Sequence, residues 1–185
     1  MDEFATDAGA VTAGEEREFR RTMSLREALD SLFGEDLIDM MESARDDAGD
    51  GKNHGGSGNG GFDVFSLSTR QLGAMGESLA AMQLAGDGYE MLDRNWRCRY
   101  GELDLVALSA DQLLVFVEVK TRRSVRSGLP AEAVTVTKQK HLRMAASEWL
   151  LTRKHKPYNT GVRFDVISIV VGDRRVEITH VPGAF

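Results

Sequence analysis

The chain predicts an α/β protein, a mixed sheet flanked by helices, with elements in the order α-β-β-β-α-β-β from about residue 66 onward. Three observations in the sequence carry this. Two stretches place apolar residues at helical spacing, and five shorter ones are rich in Val, Ile, Leu and Phe between turn residues. The run "LLVFVEVKTRRS", residues 113–124, is apolar on both faces up to Glu118, as in strands covered by helices on both sides.

In chain order, "SLREALDSLFGEDLIDMMESA" opens with Ser24 and Glu27 spaced as a capping box. Leu25, Leu29, Leu32, Phe33, Leu37, Met40 and Met41 follow at helical spacing. An amphipathic helix near residues 24–44 is expected, on an acidic N-terminal arm of residues 1–48. Gly34 costs it roughly 1 kcal/mol, and its apolar stripe needs a partner, either its own domain or another protein. Residues 49–65 are rich in Gly, Asn, Ser and Asp and read as a flexible linker. A helix from about Thr69 to Gln83 turns Leu72, Met75, Leu79 and Met82 to one face, and Gly86-Asp87-Gly88 ends it. Strands are expected at about Tyr89–Trp96, Gly101–Leu108 and Leu113–Thr121. A second helix starts after Thr135 and points Leu142, Ala145, Ala146 and Trp149 inward. Two strands joined by a Gly172-Asp173 turn close the chain.

Of the 185 residues, 42% are hydrophobic, enough for a core, and no apolar run is long enough to span a bilayer. The first residues are acidic and do not resemble a secretory signal, and the lone Cys98 cannot form an internal disulfide. A cytoplasmic location without membrane partners is expected. The net charge of -6 conceals a split: residues 1–70 hold 16 acidic against 7 basic residues, whereas residues 71–185 hold 13 against 16. The second part is the plausible phosphate binder.

Glu118 and Lys120 are the anomaly in their strand, because charge is costly there unless paired, metal-bound or facing a charged substrate. If Asp104 opposes Glu118 in a hairpin, Leu108 opposes Leu114 and a short loop joins the strands. The two carboxylates then lie roughly 5 Å apart at Cβ and repel unless a cation intervenes. Oxygen ligands without a His or Cys cluster select Mg²⁺ or Mn²⁺. Lys120, roughly 7 Å along the strand, is placed to orient a nucleophile or stabilise a transition state, an arrangement for phosphodiester hydrolysis. The same register brings Glu102 near Lys120, so an ordinary ion pair stays open. A surface ion pair of Glu118 and Lys120 at a strand end is another alternative.

The segments "GES" at 76–78, "RNWRCRYGELDLVAL", "LLVFVEVKTRRS", "PAEAVTVTKQKHL", "RFDVISI" and "HVPGAF" together resemble the YraN family. That group lies within the PD-(D/E)xK nuclease superfamily and is related to Holliday-junction resolvases. The resemblance covers about residue 70 to the C-terminus and implies a restriction-endonuclease-like core in a nuclease-like domain of residues 66–185. It implies that Asp104 is the metal-binding aspartate, and that Glu118 and Lys120 are the E-x-K pair. Glu77 matches the acidic residue of the first helix and Gln139 a polar residue of the second, and the Val119 carbonyl is a further metal ligand. Leu103 stands where the superfamily motif has proline, and Val136 also takes a proline position. Arg122, Arg123, Arg126 and Lys138 are the expected nucleic-acid contacts, with Arg94, Arg97, Arg99, Trp96 and Tyr100 as additional surface. The expected function is Mg²⁺-dependent cleavage of structured or branched DNA. The alternatives are a catalytically silent nucleic-acid-binding module or an adaptor on the same fold, and a homodimer is an open assembly.

Overall fold

The computed structural model describes residues 18–33, 64–123 and 134–185. Its elements are β1 (Phe19–Ser24), α1 (Leu25–Phe33), a 3-10 turn (Val64–Ser66), α2 (Thr69–Gly86), β2 (Glu90–Cys98) and β3 (Gly101–Leu108). They continue with β4 (Leu113–Arg122), α3 (Val136–Thr152), β5 (Gly161–Val171) and β6 (Arg175–Val181). The six strands form one sheet in the order β1-β6-β5-β4-β3-β2. β4 and β5 are parallel and every other neighbouring pair is antiparallel. Parallel strands cannot be joined by a tight turn, so α3 serves as the crossover between β4 and β5. A mixed sheet with helices on its faces is consistent with a restriction-endonuclease-like fold, and from α2 onward the order is the one the sequence predicts.

The period-2 alternation of β4 sorts its side chains between two cores. Val115, Val117 and Val119 join Ile167, Ile169 and the inward residues Leu72, Met75, Leu79 and Leu84 of α2. Leu114 and Phe116 turn the other way, onto Leu142, Ala145, Ala146 and Trp149 of α3 with Phe164 and Val166. The expected inward residue Met82 is exposed, and Leu84 takes its place at the end of α2. Both long helices start at side-chain caps: Ser68 with Gln71 in a capping box, and Thr135 accepting from the Lys138 backbone.

The N-terminal segment contains more than the sequence predicts. The Ser24–Glu27 capping box forms as expected, with Ser24 N–H donating to Glu27 Oε2 (2.7 Å) and Glu27 N–H to Ser24 Oγ (3.1 Å). Before it lies the unexpected strand β1, paired antiparallel with β6 from Phe19 opposite His180 to Ser24 opposite Arg175. Leu25, Ala28 and Leu29 of α1 are buried in the α2-side core. The described part of the apolar stripe is therefore covered by the chain's own fold. The rest of the expected helix, residues 34–44, and the linker up to residue 63 lie outside the described residues.

A second polar centre holds the C-terminus. Fully buried Asp165 on β5 accepts from Arg163 Nε and Nη2 (2.8 and 2.9 Å) and from the Gly183 backbone N–H (3.0 Å), and its Oδ2 is 2.8 Å from His180 Nε2. Burial alone would raise this carboxyl, but the bonds from His180 and Arg163 outweigh it and hold Asp165 below the usual carboxylate range. Phe185 is thereby held stacked on Phe164, which stacks on Phe116.

Candidate active site at the parting of two strands

The β3–β4 hairpin has the register that the sequence predicts: Leu108 pairs with Leu114, Ala107 with Val115, Val106 with Phe116 and Leu105 with Val117. One step further the side chain of Asp104 takes over from the backbone ladder, and its Oδ2 accepts a hydrogen bond from the Val119 N–H at 2.8 Å. Asp104 is thereby clamped to β4 beside Glu118. Glu118 follows Phe116 on the α3 face of the strand and is only 2% exposed. A carboxylate buried this far costs several kcal/mol unless countercharges offset it. Two ammonium groups do so. Lys120 Nζ lies 2.5 Å from Glu118 Oε1, and Lys138 Nζ, from the first turn of α3, lies 3.1 Å from Oε2.

Glu77 enters from the opposite face. α2 can approach β4 closely because residue 76 is glycine: a Cβ there would lie 1.8 Å from Thr121 Oγ1 and 2.8 Å from Thr121 Cβ. Glu77, the next residue, is half-buried, and its charge is felt at Asp104. Burial first, and then the Glu118 carboxylate, push Asp104 up to about 7, with Glu77 adding to the rise while the Val119 N–H and Lys138 oppose it.

The donor set suits a hard divalent cation. Buried Glu118 Oε2 accepts no hydrogen bond among the described residues, since Lys138 lies near it as a charge without hydrogen-bond geometry. Among the described residues no three His, Cys, Asp or Glu side chains converge as a ready-made cluster. A cation would therefore rest on Asp104, Glu118 and main-chain oxygen such as the Val119 carbonyl, with water completing its shell.

The other expected site residues fall in different places. Gln139 begins the helix: its Nε2 donates to the Val134 carbonyl at 3.1 Å. Arg123 donates to the Leu67 and Val64 carbonyls, pinning the turn before α2, and Arg122 Nη2 reaches Ser168 Oγ at 3.4 Å. Arg126 lies outside the described residues. Lys138, expected to contact nucleic acid, sits in the site itself. The alternative Glu102–Lys120 pair is not formed: Glu102 pairs with Arg97 at 3.1 Å, and Lys120 turns to Glu118. Arg94 donates to Ser78, and Arg99 pairs with Glu148 at 3.3 Å. The signal for Lys138 was its place three residues after the Thr135 cap, on the first turn of a helix that crosses β4. That crossing is set by packing.

Comparison with known proteins places this site in a family. A sequence profile described as "Uncharacterised protein family UPF0102" matches residues 76–169. The chain belongs to this family. Its similarity to a UPF0102 protein of Bifidobacterium longum subsp. infantis is 48% identity over 120 residues, 65% of this chain and 97% of that protein. A UPF0102 protein of Rhodococcus opacus is 53% identical over 115 residues, 62% of this chain and 95% of the relative. One from Geobacter metallireducens is 46% identical over 121 residues, again 65% and 97%. Glu77, Asp104, Glu118, Lys120, Lys138 and Gln139 all fall inside the UPF0102 match. The UPF0102 match begins at residue 76, after β1 and α1.

Proposed function

We propose that this UPF0102 chain is a divalent-metal-dependent endonuclease acting on structured or branched DNA. The observation that carries the reading is the junction of Asp104, Glu118 and Lys120 where β3 and β4 part, with one buried Glu118 oxygen that, among the described residues, has a lysine charge beside it but no hydrogen bond. Bound Mg²⁺ or Mn²⁺ would supply Lewis-acid charge to a scissile phosphodiester and make a coordinated water a better nucleophile. Asp104 and Glu118 would hold the cation, and the Val119 N–H fixes the orientation of Asp104. Lys120 stands beside the same carboxylate and stabilises the negative charge that builds on the phosphoryl oxygens. Glu77 tunes Asp104 through space, and Lys138 balances the site from α3.

A second reading rests on a specific observation. Two lysines already neutralise Glu118, so the site has a stable arrangement with no metal. A nucleic-acid-binding module on this fold would look the same.

Cleavage of a panel of duplex, flap, single-stranded and four-way-junction DNA, with Mg²⁺, Mn²⁺ or chelator, separates the two. Metal-dependent cutting that Glu118→Gln abolishes and Lys120→Ala lowers by roughly 100-fold or more supports the nuclease. A folded chain that binds DNA and cuts none of these substrates supports the binding module. Full activity of Glu118→Gln would overturn the site assignment.

A further inference from the structure

We propose that the outer face of α3 is a docking surface for the phosphate backbone of DNA, leading into the Asp104–Glu118 site. This rests on the functional reading above and gives it a substrate path.

The buried stripe of α3 is Leu142, Ala145, Ala146 and Trp149. The opposite stripe, Val136, Lys140, Arg143, Met144, Ser147 and Leu151, recurs at intervals of three and four and faces outward. Two shallow depressions, of about 340 and 380 Å³, share Met144 and Ser147 and so run on from one another. The first takes in Val136 and Gln139 of the first turn of α3, the turn whose inner side carries Lys138 to Glu118. The second is bordered by Arg99 and Tyr100 of the β2–β3 turn. At 1.5 Å per residue the stripe is about 22 Å long, comparable to about six base steps of duplex.

Chemistry selects the occupant. Lys138, Lys140 and Arg143 give α3 three cations against the single acid Glu148, which Arg99 already holds. The Arg143 guanidinium lies over aromatic rings, its carbon 4.9 Å from the Phe164 centroid and 5.5 Å from that of Phe185. A guanidinium stacked on a ring is oriented in advance while its N–H edges stay available, which suits it to phosphate oxygens. Val136 and Leu151, 81% and 80% exposed at the two ends of the stripe, offer apolar contact to sugars. Charge complementarity, and a start in the same helical turn that carries Lys138 to Glu118, favour DNA over an uncharged protein partner. Arg122 and Arg123, at the end of β4, do not supply this surface, because they are engaged within the fold.

The test measures binding of fluorescent duplex and four-way-junction DNA to the full chain in chelator, where no cutting occurs, across a salt series. The double variant Lys140→Ala/Arg143→Gln is compared with Lys154→Ala/Lys156→Ala, which removes exposed charge from the loop after α3. The first should weaken binding roughly tenfold or more and lower the salt slope by about two, with the second near wild type. Equal effects of the two pairs would overturn the α3 surface while leaving metal-dependent cleavage intact. No affinity for DNA at low salt would overturn this proposal and the functional reading together. If the wild-type chain forms dimers that Lys140→Ala/Arg143→Gln dissolves, and DNA affinity is unchanged, the face is a contact between copies and the proposal fails.

Discussion

Asp104 illustrates how one residue carries both the liability and the use of the site. Its carboxyl is pushed up to about 7 by burial and by Glu118, against an ordinary value of 3.8. The folded chain therefore binds more protons than the unfolded chain between about pH 4 and 7, and stability falls as pH rises through that window. In metal-free protein, Asp104→Asn should be more stable than wild type above pH 7, by on the order of 2 kcal/mol, with the difference closing toward pH 4. Denaturant unfolding in chelator at several pH values checks this, and a constant difference across pH would show that ionisation of Asp104 is not its cause. Adding Mn²⁺ at pH 8 should stabilise wild type and not the variant. The pairing of Asp104 with Glu118 was legible because a hairpin's register follows from its apolar alternation and loop length. The destinations of Lys138, Arg122 and Arg123 were not, since long side chains go where neighbouring elements leave a partner.

At the scale of elements, the α2–β4 contact positions Glu77, and it depends on the missing side chain at Gly76. Gly76→Ala should cost roughly 1–3 kcal/mol by overpacking, because the added Cβ meets Thr121 close to its own backbone. It should also lower activity toward any substrate that needs Glu77. Thermal unfolding of Gly76→Ala beside the relieving double variant Gly76→Ala/Thr121→Ala measures this, and recovery of most of the loss is expected. Helix starts at Leu25 and Val136 were readable from Ser24 and Thr135, whose side chains bond locally whatever the tertiary context. β1 was not readable. Its sequence, FRRTMS, has large apolar residues only at Phe19 and Met23, four apart, and its strand conformation comes from pairing with β6. An edge strand is held by its partner's open N–H and C=O groups more than by its own pattern.

For the molecule as a whole, β1 and α1 extend a UPF0102 domain rather than hang from it. Leu29, 4% exposed, ties α1 to the α2-side core. Leu29→Asp should cost about 2–5 kcal/mol and speed amide exchange in β1 and β6 well before β4 and β5, because a buried unpaired charge undocks the helix and then the edge strand. Uniform acceleration across the sheet would instead make the N-terminal elements part of one cooperative unit. By itself the sequence determined the order of elements from α2 onward, the two-faced burial of β4 and the meeting of Asp104 with Glu118. These follow from periodicities of two and 3.6 residues and from local capping, which act within a few residues of the chain. Tertiary structure alone decided that β1 joins the sheet beside β6, that Lys138 joins Lys120 at Glu118 while Glu102 pairs with Arg97, and that Arg122 and Arg123 turn into the fold. Those outcomes depend on groups far apart in sequence meeting at low dielectric, where the best available countercharge or backbone partner is chosen by packing.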